Sequence, residues 1–126
     1  MKNKTLITIL TLILSIAHAS YYENRILFSL RPQEAPLTSE QCLTLETPYP
    51  GLNTFIKKHN VARIEPWIPN ARPDDRDGDV YLDRIYRLVL RPDVELFPGT
   101  IPELKNASTA IQRAEREPIM RTLATP

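Results

Sequence analysis

The chain has 126 residues, 42% hydrophobic and 25% charged, with 16 Lys and Arg against 15 Asp and Glu. That near balance, with no basic stripe interleaved with aromatics, argues against nucleic acid as a partner. One cysteine, two histidines and three scattered glycines exclude an internal disulfide, a metal site built on sulfur or imidazole, and a glycine-rich phosphate loop.

Met1-Lys2-Asn3-Lys4 is a short basic start, Leu6 to Ile16 an apolar run, and Ala17-His18-Ala19 a small-x-small cleavage site. This pattern predicts a signal peptide over residues 1–19 and a secreted or periplasmic bacterial protein. The apolar run is short for a bilayer span, which disfavours the competing reading of a retained anchor helix. No integral membrane segment is expected after cleavage. The remainder loses Lys2 and Lys4 and stays near neutral, and it is long enough for one domain with a modest core. Cys42 has no partner in the chain and reads as a half-buried small apolar residue. All twelve prolines fall after the leader, mostly between candidate elements.

Arg25 to Arg31 reads as a first strand, with Ile26, Phe28 and Leu30 facing inward and Pro32 ending it. Gln33 to Pro50 is a long connection with room for a short helical turn. Leu52, Phe55, Ile56 and His59 then fall at i, i+3, i+4 and i+7, one face of a helix over Leu52 to Asn60. Asn60 suits a left-handed stop, and Lys57 and Lys58 suit the negative end of the helix dipole. Val61 to Ile68 reads as a strand, which Pro66 restricts to a sheet edge or a bulge.

Pro69 to Asp79 reads as a solvated hairpin loop. Its aspartates invite a calcium reading, but with Gly78 at the sixth position the first and twelfth are Pro73 and Arg84, so two ligands are missing. Leu82 to Leu90 is the longest β-compatible run and ends at Arg91-Pro92. Alternation puts Leu82, Arg84, Tyr86, Leu88 and Leu90 on one face, and Asp83, Ile85, Arg87 and Val89 on the other. The first face is apolar enough to bury. The second is mixed, as in half of an interface or a surface with scattered apolar residues. Thr100 is placed to cap a helix from Ile101 to Ser108, and Ala110 to Glu117 reads as a last strand before Pro118. Asn106-Ala107-Ser108 matches a glycosylation acceptor.

The order strand, helix, strand, strand, helix, strand predicts an α+β fold. Its plan is a ferredoxin-like split βαββαβ: a four-stranded antiparallel sheet with two helices on one face, over residues 20–117. Residues 118–126 are left as an extended tail. One histidine after the leader, on a helix stripe, gives no hydrolytic triad. The carboxylates from Asp74 to Asp79 have nothing nearby to bury them. The reading is therefore a binding module with no catalytic residue, no metal and no cofactor, not an enzyme.

Several segments, in order and spacing, resemble the exported pro-region of bacterial subtilisin-like serine peptidases, most of all the long-loop pro-regions of large secreted members. They are Arg25-Ile26-Leu27-Phe28-Ser29-Leu30, the run from Leu52 to Val61, Ile64-Glu65-Pro66-Trp67, the run from Leu82 to Leu88, and Ile111 to Glu117. The resemblance implies a propeptide that assists folding of such a peptidase and then inhibits it, in cis or in trans. The sheet face would dock on the enzyme, with Ile85 and Val89 in that face and Glu115 and Glu117 meeting the amino ends of two enzyme helices. The tail Met120, Arg121, Thr122 and Leu123 would lie in the substrate cleft, Leu123 near the primary specificity pocket and Met120 near the fourth subsite. Arg113 stands where the family usually has an aromatic residue. The peptidase segments Asp-x-Gly, His-Gly-Thr and Gly-Thr-Ser-Met-Ala do not occur. This suggests a truncated precursor lacking its catalytic domain. The alternatives are a stand-alone secreted inhibitor of the same fold and an envelope-associated ferredoxin-like binding module.

Overall fold

The computed structural model describes residues 20–94 and 96–119. Residues 1–19, expected to be a signal peptide, and the expected cleft-binding residues Met120 to Leu123 lie outside this range. The chain divides into two compact units. One is Glu23–Glu117; the other is Met1–Tyr22 with Pro118–Pro126, of which residues 20–22 and 118–119 are described. Within the second, the Ile119 N–H donates to the Ser20 carbonyl at 2.9 Å.

The elements are β1 (Tyr21–Leu30), α1 (Ser39–Thr44), α2 (Pro50–Lys58), β2 (Val61–Pro66), β3 (Arg76–Asp77), β4 (Val80–Tyr81), β5 (Ile85–Leu90), α3 (Thr100–Asn106) and β6 (Ile111–Pro118). The protein is α+β. A four-stranded antiparallel sheet has the order β2-β5-β1-β6, and β3 with β4 forms a separate hairpin. Register pairs Ile26 with Leu88 and Phe28 with Tyr86 across β1 and β5, and Ile64 with Leu88 across β2 and β5. Those residues therefore share one face, and with Leu30, Val61 and Leu90 they form the floor of the core.

Leu52, Phe55 and Ile56 of α2 and Leu104 of α3 close the core from above, joined by Leu37, while Cys42 and Leu45 pack at its edge. The helices thus lie on one face of the sheet, and they are three where two were expected. The additional helix, α1, buries none of its residues and is set by a capping box. The Thr38 hydroxyl accepts from the Gln41 N–H (3.1 Å), and the Gln41 side chain accepts from the Thr38 N–H (2.8 Å). Burial pushes the Cys42 thiol up from its usual pKa.

Tyr86 is 2% exposed at the centre of the core. Its hydroxyl accepts from the Leu37 N–H at 2.7 Å and donates to the Asp83 carbonyl at 3.3 Å, so the ring packs while its polar tip stays satisfied. Burial, above all, pushes its pKa from 10.0 up to about 12. The native state therefore holds this proton more tightly than the unfolded chain does. The corresponding stability is fully present below pH 10 and is lost as pH rises toward about 12. Tyr86→Phe strands the Leu37 N–H, with an expected loss of about 1–3 kcal/mol in urea unfolding. It also removes the share of the alkaline decline that Tyr86 causes.

Several sequence boundaries need correction. The strand over Leu82 to Leu90 begins only at Ile85, because Leu82–Arg84 is a 3-10 turn. Tertiary partners bend the chain there: the Leu82 N–H donates to the Asp75 carbonyl at 2.9 Å, and Arg84 Nε donates to the Glu34 carbonyl at 2.7 Å. Leu82 consequently leaves the core face. The first strand starts earlier, at Tyr21, and β2 ends at Pro66 instead of Ile68. That strand is indeed at a sheet edge, with a register shift between Val61 and Arg63. Asn60 has φ 53° and stops α2 in the left-handed region. Gly99 is the cap of α3, and Thr100 is buried within the helix instead of capping it. No helix among the described residues is long and apolar enough to cross a membrane.

Candidate functional site

The sheet face opposite the helices is built from the alternate residues. Arg25, Leu27 and Ser29 of β1 stand opposite Val89, Arg87 and Ile85 of β5, and Arg63 and Glu65 of β2 stand opposite Val89 and Arg87. A cation amid apolar neighbours needs a carboxylate, and Arg87 has two. Its Nε and Nη2 donate to the two oxygens of Glu117 at 2.6 and 2.7 Å, and its Nη1 donates to Glu65 at 2.9 Å. The pair with Glu117 is a bidentate fork. It bridges from β5 to β6 over the intervening β1, where the register partner of Arg87, Leu27, is only 3% exposed. The guanidinium binds its proton more tightly than an ordinary arginine, chiefly through Glu117. Arg87 therefore ties three strands with one side chain.

Beside this clamp, the β3–β4 hairpin lies over the same face. Gly78, at φ 63°, begins its two-residue turn, where a side chain would be strained. Asp75 fixes the approach by accepting the Arg72 N–H at 2.8 Å. The Arg84 guanidinium stacks over the Tyr81 ring at 4.7 Å. The tip is pinned to β6: Gln112 Nε2 donates to the Asp79 carbonyl at 3.0 Å, and Arg113 Nη2 reaches the Asp79 carboxylate at 3.4 Å.

Between hairpin and sheet is a cavity of about 240 Å³. Leu27, Ser29 and Ile85 form its sheet side; Val80, Leu82 and Trp67 form its walls. The Trp67 N–H donates to the Ile85 carbonyl at 3.0 Å, which holds that wall in place. Asp77, Arg113 and Glu115, all exposed, are its charged members. Ser29 is 4% exposed, and its Oγ has no hydrogen-bond partner. The lining holds no histidine to activate that hydroxyl as a nucleophile.

The four docking residues expected from the sequence are therefore dispersed in role. Ile85 and Glu115 meet at the cavity. Val89 is 7% exposed and does not line it. Glu117, expected beside Glu115 at a partner's surface, is 4% exposed and committed to Arg87. Sequence reasoning passed over Arg87, Glu65 and Ser29. The available signal was Arg87 itself, the one charge between Ile85 and Val89 on an otherwise apolar stretch.

On the helix side, His59 Nε2 lies 2.9 Å from Glu103 Oε2, and Lys58 Nζ donates to the same oxygen at 3.0 Å. The His59 bond first, then Lys58, lowers the pKa of the Glu103 carboxyl. His59 also stacks on Phe55 at 4.3 Å between centroids, so it serves the α2–α3 contact, as its place at the end of the apolar stripe suggested. No family model, curated protein or solved structure matches the chain.

Proposed function

We propose that the chain is a pro-domain that assists folding of, and then inhibits, a subtilisin-like serine peptidase, and that it docks through the helix-free face of its sheet. The observation that carries this reading is the one-sided placement of the helices: α2 and α3 pack on the core face, leaving the opposite face to the Arg87 clamp, the hairpin and Glu115. The ferredoxin-like plan that the resemblance implies belongs to the same proposal. Counting only the four sheet strands in chain order, their spatial order is second, third, first, fourth. Two helices, α1 and α2, lie between the first and second strands, and α3 lies between the third and fourth. The hairpin and α1 are then insertions into that plan.

Glu117 is engaged inside the chain, so the contact to a helix amino end falls to Glu115, whose carboxylate is exposed. The interface would be of the size common to protease–inhibitor pairs, roughly 800 Å² per partner, with the tail supplying a product-like strand. Titrating subtilisin with the chain tests this. The expected result is concentration-dependent inhibition, weakened at least about tenfold by removing residues 119–126. Equal inhibition by the shortened form rules out the tail. No inhibition by either form rejects the peptidase reading in favour of an envelope-associated binding module.

A further inference from the structure

We propose that β6 is the edge by which two copies of the chain associate, the two β6 strands pairing antiparallel about a two-fold axis at Ala114. Among the described residues the four-stranded sheet has β2 and β6 as its outer strands. An outer strand turns one row of backbone donors and acceptors away from its sheet and can template a further strand. β2 is ill suited to this, because its register shifts between Val61 and Arg63 and it ends on Pro66. β6 is longer, eight residues, and holds no glycine and no proline before Pro118. The β3–β4 hairpin does not extend the sheet past it: β3 and β4 form their own two-stranded sheet and reach β6 through the Gln112 and Arg113 side chains.

Charge selects the partner and the register. Charged side chains on an outer strand ordinarily keep other strands away, but on β6 the sign alternates. Arg113 and Glu115 are two apart, lie beside the same cavity on the helix-free face, and are both exposed. In an antiparallel pair centred on Ala114, Arg113 of each copy stands opposite Glu115 of the other, so the two-fold axis makes two cross-strand ion pairs. Moving the centre by one residue either way sets two like charges face to face. The contact between Arg113 and Asp79, at 3.4 Å with side chains 67% and 69% exposed, is worth little and yields to this one. The paired stretch, Gln112 to Arg116, is short. The interface falls below the ~1,200 Å² of stable complexes, so the dimer is weak and forms at high protein concentration.

The inference does not rest on the peptidase reading, and its test contains no peptidase. Sedimentation of the full chain from about 1 μM to about 1 mM is expected to show a reversible monomer–dimer equilibrium. Arg113→Glu turns both cross-strand pairs into repulsions, and so does Glu115→Arg; each weakens the dimer at least about tenfold. The double variant, Arg113→Glu with Glu115→Arg, restores both pairs with their signs exchanged and returns to within about threefold of the parent. It still lacks the contact between Arg113 and Asp79, so its recovery cannot come from the hairpin. Arg63→Glu, on the other outer strand, leaves the equilibrium unchanged. Four results overturn the proposal: a chain that stays monomeric throughout, association that the single variants do not weaken, a double variant no better than the singles, or equal weakening by Arg63→Glu.

Discussion

Arg87→Met is expected to destabilise the protein by about 3–5 kcal/mol near neutral pH, the cost of leaving a buried carboxylate without its partner. Methionine keeps much of the stem's volume, so the loss is electrostatic more than steric. Glu117 then lies 4% exposed without the guanidinium that grips both its oxygens, and Glu65 loses its contact as well. Small domains have only about 5–15 kcal/mol in total, so the variant falls close to the threshold of folding. Adding Glu117→Leu removes the orphaned charge and restores most of the stability. Urea unfolding of the parent and the two variants at neutral pH checks each part. A loss below about 1 kcal/mol for Arg87→Met places the pair among exposed bridges of little worth and contradicts the clamp.

The second large effect comes from a glycine whose role is steric. Gly51 sits in the first turn of α2, where a Cβ would overlap the Ala107 carbonyl oxygen and lie 2.9 Å from its carbon, at the C-terminal end of α3. The obstruction is backbone, so no side-chain rotation relieves it. Gly51→Ala must push the two helices apart. The expected cost is about 1–3 kcal/mol, net of a gain in helix propensity that by itself reaches only ~1 kcal/mol. Gly99→Ala is the control, because a methyl there meets nothing within 4 Å and φ is −80°. It should stay within about 1 kcal/mol. If thermal unfolding shows Gly51→Ala no worse than Gly99→Ala, the helices are not held in the tight contact described.

The parts of the fold legible in the sequence are those governed by local pattern. Leu52, Phe55 and Ile56 mark the buried stripe of α2, and Asn60 stops it where a left-handed residue was expected. Tyr86, Leu88 and Leu90 mark the core face of β5, and Pro66 marks an edge strand. The Thr38–Gln41 capping box was present in the sequence as T-x-x-Q, yet the segment was read only as a connection with room for a short helical turn, because α1 buries no stripe that periodicity could detect.

Alternation overran at Leu82–Arg84 because the turn depends on Asp75, in the loop before the hairpin, and on Glu34, well away in the chain. The site was less legible than the fold, for the same reason. Leu27 and Ser29 look like ordinary odd positions of a strand. Only the folded hairpin, pinned at Asp79 by β6, encloses them. The mixed character of the β5 back face was visible, but the partner that Arg87 takes comes from the last strand, thirty residues later.

The central claim is that the helix-free face receives the peptidase, and a carboxylate-labelling footprint tests it most directly. The chain would be treated with carbodiimide and an amine, alone and bound to an inactive subtilisin, and labelling read residue by residue in both states. Asp77 in the hairpin and Glu115 beside it, both exposed, are expected to lose their labelling in the complex. Glu40 and Glu103 on the helix layer should keep theirs. Protection of Glu40 and Glu103 with Glu115 still fully labelled would place the partner on the other side of the molecule and contradict the account.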